Sequence, residues 1–139
     1  MIYNIPANNG IVAAVHKLFH VIQQHYDSSH RIVYFNNTSS GILARALSES
    51  TAAWVKEPQR TMQFEYERIS SVFELVDKIS KSSHDLIVVE HVDALMQEHT
   101  SSDYASENQA LAHLMAMPRN MILIDTWQFL DTYYIRERL

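Results

Sequence analysis

The chain has no cysteine, two glycines and three prolines in 139 residues. The missing cysteine excludes disulfides and cysteine-ligated zinc, and it permits a reducing compartment. Little glycine and proline, with 47% apolar and 19% charged residues, is the composition of a folding chain. No apolar run approaches the ~20 residues needed to cross a bilayer, so no membrane partner is expected. The opening "MIYNIPANNG" lacks the basic-then-apolar order of a secretory signal, and none is expected. Basic charge is scarce too: eleven Lys and Arg stand against sixteen Asp and Glu, for a net charge of −5. A free-standing nucleic-acid binder usually carries a basic face. Any nucleic-acid contact is therefore expected to be local or shared with a partner. The length suits one domain with an ordinary core.

What is present is an alternation of short apolar runs with helical stripes. "MIYNI" reads as a first strand. Ile11, Val15, Leu18 and Ile22, widened by Val12, Phe19 and Tyr26, form the buried stripe of a helix. Asn8 and Asn9 are its N-cap candidates. "RIVYF" (31–35) reads as a strand that ends in the loop "NNTSSG". "ILARALSES" (42–50) reads as a short helix, "VKEPQR" (55–60) as a breaker, and "TMQFEY" (61–66) as an alternating strand. Ile69, Val72, Phe73, Val76 and Ile79 mark another amphipathic helix. "DLIVVE" (85–90) is the clearest strand, "SENQALAHLMAM" (106–117) a helix stopped near Pro118, and "NMILID" (120–125) a strand. "WQFLDTYYIRERL" (127–139) reads as a closing helix.

This β-α alternation predicts an α/β fold, a mainly parallel central sheet with helices on both faces. "LIVV" and "MILI" agree, because central parallel strands are buried on both sides. Ligands in such sheets bind beyond the carboxyl ends of strands. Asn36, Glu90 and Asp125 fall at three such ends.

An apolar run ending in an acid, as in "LIVVEHVDAL" (86–95), is what a nucleotide hydrolase uses to hold a magnesium-bound water. The other half of such a site is a P-loop, with two glycines four residues apart and a following Lys that neutralises phosphate. Gly10 and Gly41 are too far apart to share one loop, and neither precedes a Lys. The expected position of that loop holds "PANNGIV" (6–12), where Gly10 still supplies a tight turn. Phosphoryl transfer depends on charge clamps and metal positioning, so ATP hydrolysis is not expected.

Two segments carry a family resemblance. "LIVVEHVDALM" (86–96) resembles the second nucleotide-site strand of RecA-family recombinases, and "SSHRIVYFNNTSSGILARALSE" (28–49) is similar to the strand, loop and short helix that follow their P-loop helix. The likeness covers roughly residues 2–125. Among P-loop-less members, the chain resembles the chromosome-segregation-in-meiosis subunit family of the Shu complex, through Phe35–Ser40 and the ending Phe129–Tyr134. The resemblance implies a RecA-like core without a Walker A loop, a single domain over 1–139 shorter than a full recombinase core. It implies no catalytic residue, no cofactor and no resident metal. It also implies a nuclear heterodimer with a second recombinase-paralogue subunit, with a SWIM-domain protein and the main recombinase as further partners. Binding to single-stranded or forked DNA that is not driven by ATP would then assist filament assembly.

On this reading Gly10, Glu90 and Asp93 are remnants of a nucleotide site, with the strand-end acids facing solvent. Lys56, Arg60, Arg119, Arg136 and Arg138 are the candidates for DNA phosphates; the last two follow Tyr133 and Tyr134, and cations beside aromatic faces suit single-stranded nucleic acid. Trp127, Phe129, Tyr133 and Tyr134 are partner-interface candidates, since such residues are enriched at interfaces. The loop "QEHTSSDYASEN" (97–108) is acidic where the family's DNA-contacting loops are basic. His16 and His20 have a zinc-compatible spacing, but no third ligand is evident. Two other readings remain open. One is a P-loop-less RecA-like subunit of the Elongator kind, forming a ring and binding tRNA. The other is a small α/β enzyme that uses Glu90, Asp93 and Asp125.

Overall fold

The structure, a computed structural model, describes residues 2–96, 101–125 and 137–138. Its strands are β1 (Ile2–Ile5), β2 (Ile32–Asn36), β3 (Phe64–Arg68), β4 (Leu86–Glu90), β5 (Met121–Ile124) and a two-residue β6 (Glu137–Arg138). Its helices are α1 (Ile11–His25), α2 (Gly41–Glu49), α3 (Pro58–Thr61), α4 (Val72–Lys81) and α5 (Ser101–Ala116), with 3-10 turns at Ala53–Lys56 and Val92–Met96. The strands form one sheet in the order β3-β2-β4-β5-β1-β6, and every pairing is parallel. β2, β4 and β5 are buried along their whole length, which is why they read as uninterrupted apolar runs.

Two cores sandwich the sheet. On one face Val15, Leu18, Phe19 and Ile22 of α1 and Leu43 and Ala46 of α2 pack over Ile32, Tyr34, Val88, Ile122 and Ile124. On the other face Val72, Leu75 and Ile79 of α4 and Leu111 and Leu114 of α5 pack over Val33, Phe35, Ile87, Val89 and Leu123. Connections running toward β3 use the first face, and those returning toward β5 use the second, as crossovers of a single hand require. No helix among the described residues is long and apolar enough to cross a membrane.

Several boundaries differ from the sequence expectation, each for a local reason. The helix cap at α1 is Gly10, not Asn8 or Asn9, and no side chain caps it. Gly10 has φ +97° and ψ 161°, a region essentially reserved for glycine, so backbone geometry sets the helix start. The breaker at 55–60 is instead a 3-10 turn followed by α3, with Pro58 at its first position, where the lost N–H costs nothing. That turn absorbs Thr61 and shifts β3 to 64–68. The helix expected from Ile69 begins at Val72, capped by Ser71, whose hydroxyl accepts from Glu74 N at 3.1 Å. α5 starts at Ser101, before its first apolar stripe residue. Within the expected closing helix, Glu137 and Arg138 pair instead as a strand beside Tyr3 and Asn4.

Candidate functional site at the carboxyl ends of the sheet

Alternation and register together assemble this end of the molecule. Tyr34 lies opposite Val88 in the β2–β4 pairing, so Glu90, two residues on, shares its face. The Tyr34 hydroxyl donates to Glu90 Oε1 at 2.5 Å. Glu90 is 2% exposed and Tyr34 0%. The expectation of a solvent-facing acid is therefore corrected: Val88 and Val89 are packed into the two cores, and Glu90 after them is buried against Tyr34. Burial, then the charge and hydrogen bond of Glu90, push the Tyr34 hydroxyl far above its ordinary range.

Next to this pair, Asn36 closes β2. It is 1% exposed, accepts from the Tyr66 hydroxyl at 2.6 Å, and donates to Ser39 O at 2.9 Å. Burial also raises the Tyr66 hydroxyl, opposed by the nearby charge of Arg68. Three neighbouring strands, β3, β2 and β4, are thus joined at their ends by side chains.

The ends of β4 and β5 are joined differently. His91 and Asp125 each adopt φ 55°, left-handed for residues with a side chain. His91 Nδ1 lies 3.1 Å from Asp125 Oδ2. Their backbone N–H groups continue the ladder, His91 to Ile124 O and Asp125 to Ile5 O, both at 2.9 Å. His, Asp and Asn tolerate this conformation better than other side-chain-bearing residues, which keeps its cost modest. Asp125 is therefore paired with a histidine rather than gathered with Glu90. The side chain of Asp93 lies outside the described residues.

The loop after β1 occupies the place of a phosphate loop. Gly10 makes its turn there, with its N–H donating to Ala7 O at 3.1 Å. The first turn of α1, Ile11–Ala14, carries no charged side chain. No side chain in that turn can neutralise a phosphate.

The candidate phosphate-binding cations are placed as follows. The Arg60 guanidinium donates to the carbonyls of Ile22 and Tyr26 and sits 5.9 Å over the Trp54 ring. Arg119 donates to the carbonyls of Ile79, Ser82 and His84, closing the carboxyl end of α4. Both guanidiniums tie elements together. Lys56 is exposed and has no ion-pair partner among the described residues. Arg138 lies in β6 at the sheet edge, and Arg136 lies outside the described residues. So do Trp127, Phe129, Tyr133 and Tyr134. His16 faces Glu49 at 3.8 Å, and His20 is exposed.

Sequence reasoning missed Tyr34, Tyr66 and His91 as members of this cluster. Their signal is register, which fixes who shares a face, and register is a property of the assembled sheet. No family model matches the chain, and no curated protein matches it.

Proposed function

We propose that the chain is a non-catalytic recombinase-paralogue subunit of a homologous-recombination mediator of the Shu kind. It works in the nucleus as a heterodimer with a second recombinase-like subunit, binds single-stranded or forked DNA with that partner, and assists assembly of the recombinase filament. The observation that carries the reading is Glu90. The acid stands where a nucleotide hydrolase would hold its magnesium-bound water, yet it is buried and committed to Tyr34. A metal there would have to enter a buried site and compete with the Tyr34 hydroxyl for the carboxylate. The uncharged turn after β1 points the same way.

The strand order adds support by elimination. It is neither 3-2-1-4-5-6 nor 2-1-3-4-5, the orders of the two common doubly wound nucleotide folds. Charge supports sharing of the DNA contact: two of the candidate cations already bond to backbone carbonyls, and the chain is acidic. Titrating the purified chain with labelled ATP and magnesium tests the non-catalytic part. The expected result is neither turnover nor micromolar affinity, and turnover abolished by Glu90→Gln would refute it.

A further inference from the structure

A cavity lies at the opposite end of the sheet, away from Glu90. It has a volume of about 580 Å³ and opens between the second half of α1 and the amino ends of β1, β4 and β5. That volume is in the range of small-molecule sites. Its floor is apolar, built from Val21, Leu86 and Ile122, with Tyr3 and Tyr26 beside it and Lys17 at its rim. Lys17, Val21 and Gln24 follow one another at helical spacing, so one face of α1 supplies charge, apolar wall and amide in sequence.

Two observations separate this cavity from an ordinary packing fault. Lys17 is exposed and has no ion-pair or hydrogen-bond partner among the described residues, whereas Arg31, Arg45, Lys78 and Lys81 on the surface of this acidic chain each face a carboxylate. Tyr3 and Tyr26 both line the cavity, so two phenols meet there, and burial first, then Tyr3 and Asp85, raise the Tyr26 hydroxyl. Asp85 is itself engaged, accepting from Arg31 N at 2.8 Å. The cavity therefore offers an apolar slot, aromatic rings and, in Lys17, a cation without an ion-pair partner among the described residues.

We propose that this cleft binds an aromatic anion of mononucleotide size, with its ring in the slot among Val21, Leu86 and the tyrosines and its phosphate or carboxylate at Lys17. Stacking on aromatic side chains beside a cation is how single nucleotides are held without sequence readout. The same chemistry comes from two sources, a free nucleoside monophosphate or one unstacked nucleotide of a DNA strand. Only the second rests on the DNA-binding reading above.

The test is a titration of the isotope-labelled full chain, followed by amide NMR, with thymidine monophosphate, with thymidine, and with a short oligothymidylate. The monophosphate is expected to shift Lys17, Val21 and Tyr26 saturably. Lys17→Gln, at an exposed position, should weaken binding about fivefold, the scale of an exposed ion pair. Val21→Trp, which fills the slot, should abolish binding while the rest of the spectrum keeps its dispersion. Absence of saturable shifts, or affinity unchanged in Lys17→Gln, overturns the proposal, and thymidine binding as tightly as its monophosphate overturns the anion subsite. Oligothymidylate that loses affinity in both variants identifies the strand as the source. If it ignores both variants while the monophosphate does not, the ligand is the free small molecule, and the mediator reading stands or falls separately.

Discussion

At the scale of single residues, the Tyr34–Glu90 contact is the feature whose removal discriminates best. Tyr34→Phe keeps the ring and deletes the donor to a buried carboxylate. The expected loss is about 2 kcal/mol in urea unfolding, the scale of a hydrogen bond to a charged group. Glu90→Leu removes the acceptor, and in the double variant Tyr34→Phe/Glu90→Leu the losses should not add, because the two residues share one interaction. The hydroxyl also has a pH signature. Its folded pKa is raised above the ordinary ~10 of tyrosine, so the unfolded chain releases that proton first. Its contribution is complete below pH ~10 and declines as pH rises further; Tyr34→Phe should flatten that alkaline decline. Gly10 offers a second residue-scale test. A Cβ there meets no atom within 4 Å, yet φ is +97°, so Gly10→Ala is strained by backbone geometry alone. The expected destabilisation is about 1–3 kcal/mol. The strand-end position of Glu90 was legible from "LIVVE", because an acid after a β-branched run marks where burial normally ends. Its burial was not, since that depends on helices packed over β4 from distant parts of the chain.

At the scale of elements, two polar devices tie neighbouring elements together. Arg119 closes the end of α4 through three carbonyls at 2.7–3.1 Å. Arg119→Lys cannot reproduce that fork, and hydrogen exchange at the last turn of α4 should accelerate while β2 stays protected. Glu65 on the edge strand accepts from Arg31 at 3.0 Å and pairs with His84 at 2.8 Å. The Arg31 bond first, and His84 next, hold its carboxyl below the ordinary range. A depressed folded pKa gives stability that is present above ~4.3, the unfolded value of Glu, and is lost as pH falls below it. Glu65→Gln should therefore shrink the acid-induced loss of stability, by a small amount because the site is half exposed. Thermal midpoints between pH 6 and pH 3 measure it. The helical stripes and fully apolar strands were readable because periodicity reports burial directly. The ends of β3 and α5 were not: a proline turn consumed Thr61, and the first turns of α5 carry no apolar stripe.

At the scale of the molecule, alternation gave the parallel α/β class, but the order β3-β2-β4-β5-β1-β6 came only from assembly. Local sequence says that strands exist; which ones become neighbours is decided by how the two helix layers share the apolar faces. The same limit applies to the candidate site. Asn36, Glu90 and Asp125 were placed at the correct end, but the partners that commit them, Tyr66, Tyr34 and His91, were assigned only by register. On the proposed reading, the chain works through other subunits rather than through a nucleotide site of its own. The account therefore predicts that the chain occurs in a complex and not as an independent enzyme. Affinity purification of the tagged chain from its native cells, with mass spectrometry of the bound proteins, tests this most directly. Recovery of a second recombinase-like subunit in equal amount, with or without a SWIM-domain protein, is the predicted result. A self-assembled ring of this chain carrying tRNA, or a free monomer that hydrolyses nucleotide, would contradict it.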